Sequence, residues 1–84
     1  MHELTLEGLL RAGNSEYTRE TAKLMVIVVK AYDNMPEIII NPKENFAEKL
    51  EYYKKTYDDN LVMKNNQNIK IVSYNFVEKI EFGD

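Results

Sequence analysis

His2 is the only imidazole in the chain and stands beside Met1, so no triad or zinc site can be assembled around it. An exposed terminal residue is expected there. The hydroxyl candidates are Ser15 and Ser73. Ser15, within Asn14-Ser15-Glu16, reads as a cap or turn residue. Ser73 falls in a predicted strand that lacks the sharp strand-to-helix turn of a nucleophile elbow. The neighbouring carboxylates Asp58-Asp59 could in principle do acid–base work, which needs desolvated groups with separated pKa values. Because they follow Lys54 and Lys55 at a polar helix end, they read instead as solvated helix termination.

Missing residue types narrow the chemistry further. The chain has no cysteine, which removes thiol nucleophiles, thiolate metal sites and disulfides together and suits a reducing cytoplasm. Gly8, Gly13 and Gly83 stand apart, outside any strand-loop-helix context that would cradle a phosphate. There is no calcium-loop ladder of oxygen ligands either. The expectation is a non-enzymatic chain with no catalytic residue, no cofactor and no metal.

The elements that would carry a function are those of a small α+β domain spanning residues 1–84. Thr5 can cap a short helix over 6–12 with Leu6, Leu9 and Leu10 on one side, and Gly13-Asn14 would supply a left-handed stop. Asn41, Pro42 and Glu44 read as the cap, first position and capping-box acid of a long helix over 42–59. Phe46, Leu50, Tyr53 and Tyr57 form its apolar stripe, and Asp58-Asp59-Asn60 its end.

Residues 16–40 allow two readings. Tyr17, Thr21, Leu24, Val28, Tyr32 and Met35 share a helical face, which would give a helix over 18–33. The β-branched run Val26-Ile27-Val28-Val29, the turn residues Asp33-Asn34-Met35-Pro36 and the triplet Ile38-Ile39-Ile40 favour a hairpin with a strand over 24–32. The hairpin is preferred because a sheet is secure only with three or more strands. Residues 69–77 alternate in two phases that a bulge near Ile71-Val72 would reconcile, although Asn75 and Glu78 could instead cap a terminal helical turn.

The predicted sheet is mainly antiparallel, three- to four-stranded, in the order 2-1-3, with the long helix on one face. The other face needs Leu6, Leu9 and Leu10, or a second protein. The alternative architecture is mostly helical with a C-terminal hairpin.

Charge and hydropathy bound the partners. A net charge of −3 disfavours a phosphate backbone. The longest apolar run, over 24–29, is too short to cross a bilayer. Lys54, Lys55, Lys64 and Lys70, with Tyr52, Tyr53, Tyr74 and Phe76 nearby, give a nucleic-acid accessory factor as an alternative; Glu51, Asp58 and Asp59 offset that charge.

A protein partner is the leading expectation, and two surfaces are candidates. One is the polar side of the long helix, with Glu48, Glu51, Lys55 and Asp59 around Tyr52, where Glu51 and Lys55 are spaced for an ion pair. The other is the strand edge at Ile38, Ile39 and Ile40, bracketed by Pro36 and Pro42, which a target or another copy could cover, the latter making a homodimer or a structural homo-oligomeric subunit.

In the Asn41-Pro42-Lys43-Glu44-Asn45 start, the 50–57 segment and the 69–74 strand, the chain resembles small accessory proteins of phages infecting AT-rich Gram-positive bacteria. The resemblance implies a cytoplasmic product of the infected cell that binds a host protein and inhibits or redirects it, in the manner of inhibitors of defence nucleases.

Overall fold

In the computed structural model, which describes residues 4–31 and 35–80, two short helices precede a hairpin, a longer helix and a last strand. The helices are α1 (Leu6–Asn14), α2 (Glu16–Thr21) and α3 (Phe46–Thr56); the strands are β1 (Leu24–Lys30), β2 (Pro36–Pro42) and β3 (Lys70–Val77). Four sequence expectations fall outside the described residues: His2, Tyr32 as a strand end, the turn residues Asp33-Asn34, and Gly83.

The sheet is antiparallel in the order β2-β1-β3, as the sequence predicts. Its centre is the β-branched run, with Ile27 opposite Ile39 on one side and Tyr74 on the other. The expected bulge is present. Val28 pairs with Ser73 but Val29 pairs with Ile71, leaving Val72 as the extra residue that brings both Ile71 and Tyr74 into the core. The strand continues through Asn75 to Val77, so the alternative terminal helical turn does not form.

Residues 16–31 divide between the two readings. One and a half turns of helix form after Ser15, whose side chain accepts from the Thr18 N–H at 3.0 Å, and the chain becomes extended at Ala22. Helix stops there because the following β-branched residues gain more from the sheet than from further turns.

The stripe of Phe46, Leu50, Tyr53 and Tyr57 is buried as expected, each large side chain contributing roughly 1.5 to 3 kcal/mol before entropy is subtracted. The start of this helix differs from the sequence reading. Asn41 and Pro42 belong to β2, a single 3₁₀ turn (Lys43–Asn45) follows, and α3 begins at Phe46. Asn41 does not cap: it pairs with Met25 across the hairpin, and its buried amide donates to the Tyr53 hydroxyl at 3.5 Å.

The other end of α3 is at Thr56, before the acidic pair. Tyr57 is already extended and bridges to Met63, while Val62 bridges to Lys70. Gly13 also departs from expectation. It has no positive φ, and α1 runs on through it to Asn14. A Cβ at this position would lie 2.6 Å from Leu50 Cδ1, so the glycine serves close approach of α1 to α3.

Leu6 and Leu9 enter the same core as the α3 stripe, together with Met25, Ile27, Ile71 and Tyr74. The α1 start is held by Thr5, whose hydroxyl accepts from Gly8 N–H at 3.0 Å, and by the Leu6 N–H donating to Asp59 O at 3.0 Å. Both helices therefore cover one face of the sheet, and the face carrying Leu24, Val26 and Val28 receives neither.

Candidate functional site

Along β1, Met25, Ile27 and Val29 are buried under the helices, while Leu24, Val26 and Val28 alternate onto the opposite face and stay partly exposed. The register places Ile38 beside Val28 and Ile40 beside Val26. Ser73, Asn75 and Val77 lie beside Val28, Val26 and Leu24 on the other side. The result is a sheet face that is apolar over Leu24, Val26, Val28, Ile38, Ile40 and Val77, with Ser73 and Asn75 on one side and Lys30 and Lys70 paired at its far end.

Ile38 is 64 % and Ile40 48 % exposed, far beyond what an aliphatic side chain in a strand needs for the fold itself. Val26, Ile38, Ile40, Asn75, Val77 and Ile80 line a concavity of about 480 Å³ on this face. A solvated antiparallel sheet normally alternates apolar inward and polar outward. Here both phases of β1 are aliphatic, the pattern of a strand meant to be covered on both sides.

The edge beside this face is also open. Lys43 N–H donates to Lys23 O, which sets the phase of the β1–β2 ladder. In an antiparallel pair, residues two apart point their N–H and C=O the same way, so Glu37, Ile39 and Asn41 bond to β1. Pro36, Ile38, Ile40 and Pro42 point theirs outward. The two prolines fall where a missing N–H costs the sheet nothing. By contrast, the outer edge of β3 is partly covered, with Met63 N–H donating to Ile69 O and Ile71 N–H to Leu61 O.

The predicted interaction residues do not form one surface. Tyr52 lies on the helical layer, 46 % exposed, edge-on to Tyr53 at 5.4 Å, with Lys49 Nζ 5.3 Å from its ring centre. Glu48, Glu51, Lys55 and Asp59 are exposed, and among the described residues no ion pair joins Glu51 to Lys55. Ile38 and Ile40 face the other side of the sheet. Ile39 turns inward, partly buried against the core. Of the four lysines, Lys64 folds back on the end of α3 through its N–H to Thr56 O, and Lys70 starts β3.

Comparison with models of protein families, with curated proteins and with solved structures found no match.

Under the helices, burial raises the pKa of the Tyr53 hydroxyl, Asn41 opposing and Tyr52 reinforcing the shift. Burial, then Tyr52, Tyr53 and Glu37, push Tyr57 up to about 12. Both phenols are thus neutral groups of the core, and the Tyr53 hydroxyl accepts a hydrogen bond from the Asn41 amide. Asp58 Oδ1 accepts from the N–H groups of Asn60 at 2.8 Å and Val62 at 3.0 Å, which gives this carboxylate a structural use in the turn after α3. Ser15 is likewise a cap, while Ser73 sits in β3 on the open face.

The sequence points to Ile38 and Ile40 and leaves the second sheet face to Leu6, Leu9 and Leu10 or to a second protein; the structure places Leu6 and Leu9 with the α3 stripe instead, so they do not cover that face. The alternation of Val26 and Val28 with Ile27 and Val29 marks a two-faced strand. Nothing local says which face the helices will leave bare.

Proposed function

We propose that this chain is a non-enzymatic protein-binding module that uses the bare face of its sheet to take an apolar surface of another protein. The observation that carries the reading is the aliphatic character of both faces of β1 when Leu6, Leu9 and the α3 stripe all occupy one of them. Covering the exposed isoleucines and their neighbours would contribute about 25 cal/mol for each Å² removed from water, the ordinary driving force of association. The concavity is large enough for a few inserted aliphatic or aromatic side chains, as on the apolar stripe of an amphipathic helix.

The resemblance to phage accessory proteins makes the partner a host protein that the chain inhibits or redirects, a defence nuclease among the candidates. The cysteine-free composition suits action in the cytoplasm of that cell. The helical side around Tyr52, Glu48, Glu51, Lys55 and Asp59 is a separate polar surface on the opposite layer and is not required for this contact.

The test is affinity capture from a lysate of a Gram-positive host, with captured proteins identified by mass spectrometry. The wild-type chain and Tyr52→Ala should retain the same stoichiometric partner, whereas Val77→Lys and Ile38→Lys should each lose it while keeping native circular dichroism. A partner held equally by both lysine variants, or lost with Tyr52→Ala alone, would move the binding surface off the sheet and refute the reading.

A further inference from the structure

The outer edge of β2 carries more information than an unpaired strand usually does. Its outward backbone groups belong to Pro36, Ile38, Ile40 and Pro42, so it offers only two N–H donors, flanked on each side by a proline that has none. Among the described residues no group pairs with those two donors. The strand reads Pro-Glu-Ile-Ile-Ile-Asn-Pro, nearly the same in either direction about Ile39. An antiparallel partner strand is read in the reverse direction, so such a segment is close to complementary to itself.

We propose that two copies of the chain pair antiparallel through the β2 edges, about a two-fold axis at Ile39. This goes beyond binding a foreign protein, because the edge and the bare face are distinct surfaces. Ile38 of each copy then lies opposite Ile40 of the other, and these two hydrogen-bonded pairs use both free donors of both copies, making four N–H to carbonyl bonds. Pro36 meets Pro42 at each end, where neither strand has a donor to leave unsatisfied and the strands can splay around the rings.

Shifting the axis to Ile38 or Ile40 also satisfies four donors. It would, however, bring a proline ring opposite an isoleucine within the bonded stretch and shorten the overlap. The register about Ile39 keeps both prolines farthest from the axis. It matches β-branched with β-branched side chains in all three central pairs. Glu37 falls opposite the neutral Asn41, so no like charges meet across the edge.

The product is one continuous six-stranded sheet, with the helices of both copies on one side and two bare apolar faces adjoining on the other. A single six-stranded platform extends the docking surface without altering the chemistry of either half. Two edges, rather than one, are removed from solvent, which relieves the hazard that an unguarded strand of three isoleucines presents. Pairing over seven residues is a small interface, so association is expected between about 10 µM and about 1 mM.

Analytical ultracentrifugation over that range should show the mass rising from 9.9 kDa toward twice that value. Because the natural chain lacks cysteine, single introduced cysteines read the register without background. In the proposed register residue 39 faces its own counterpart in a non-hydrogen-bonded pair with Cα atoms roughly 4.5 Å apart, within disulfide range. Residue 37 lies about 13 Å along the strand from its counterpart, too far to bridge.

Mild oxidation should therefore dimerise Ile39→Cys and leave Glu37→Cys monomeric. Ile40→Pro removes an outward donor without costing a bond of the β1–β2 ladder, and it should hold the protein monomeric with native circular dichroism. Should that variant fail to fold, the cysteine pair decides alone. A monomer at every concentration would overturn the proposal. So would cross-linking of Glu37→Cys in preference to Ile39→Cys. A dimer that survives Ile40→Pro but is abolished by Val77→Lys would place the second copy on the bare face instead, and overturn the edge pairing while leaving the protein-binding reading to its own test.

Discussion

Gly13→Ala isolates the close approach of α1 to α3. Adding one methyl group to the last turn of α1 would put it 2.6 Å from Leu50 Cδ1, 3.0 Å from Leu50 Cδ2 and 3.2 Å from Phe76 Cζ. Carbon atoms prefer about 3.5 to 4.0 Å, so the shortest contact is compressed by about 1 Å. Leu50 is buried beside a small cleft that it lines together with Gly13 and Phe46, so relief requires either that α1 lifts from α3 or that Leu50 leaves its rotamer. Overpacking of this kind costs typically about 1 to 3 kcal/mol. Because Gly13 has an ordinary helical φ, the alanine also recovers up to about 1 kcal/mol of helix propensity, less near a helix end.

The expected net loss is about 1 to 2 kcal/mol, or a fall in Tm of roughly 5 to 15 °C for a domain of this size. Urea titration of the wild type, Gly13→Ala, Leu50→Ala and the double variant completes the test. Leu50→Ala alone should cost about 2 to 5 kcal/mol by leaving a cavity. In that background the added methyl group should be neutral or stabilising, a coupling of about 1 kcal/mol or more. A Gly13→Ala protein as stable as the wild type, or one losing the same amount with and without Leu50, would show that close approach is not why glycine stands there.

Two further outcomes follow from the polar groups around α3. With Tyr57 raised from 10 to about 12, the folded state holds the phenol proton more tightly than the unfolded chain. That stability is fully present below pH 10 and is lost as pH rises toward 12, a span worth on the order of 2 kcal/mol. Urea titrations at rising alkaline pH should show the decline, and Tyr57→Phe should flatten it; an unchanged slope would argue against a buried neutral phenol. Asp58→Ala should cost about 1 kcal/mol by removing the acceptor of two backbone N–H groups, and Asp58→Asn less because it keeps the Oδ1 acceptor. Equal urea midpoints for the three proteins would contradict that role for the turn.

Much of the fold was legible because local periodicity answers local questions. The spacing of Phe46, Leu50, Tyr53 and Tyr57 puts them on one side of any helix they form, whatever lies nearby. Likewise the change of phase between Ile71 and Tyr74 requires one extra residue, and Val72 is that residue. Local signals misled where the same residue types serve two purposes. Asn41-Pro42 has the chemistry of a helix start, yet strand pairing and the Tyr53 hydroxyl claim Asn41, and Pro42 is a strand residue whose absent N–H points away from the ladder. Gly13 has the chemistry of a helix stop, yet what it supplies is the absence of a Cβ beside Leu50.

By itself the sequence determined which residues share a side of each element, the order of the strands, and the lack of thiol, triad and phosphate-loop chemistry. Tertiary structure alone decided where those sides end up. Periodicity says that β1 has two aliphatic faces, but which one the helices cover depends on how the connecting segments return across the sheet. That return puts Leu6 and Leu9 on the same face as the α3 stripe and leaves Ile38 and Ile40 exposed, with Val26 and Val77 half-buried beside them. It also sends Tyr52 to one layer and Ile38 to the other, separating residues that look equally exposed in the sequence. The hydrogen-bonding phase of β2 was decided the same way, because only a partner strand determines which backbone groups are used and which remain free at the edge.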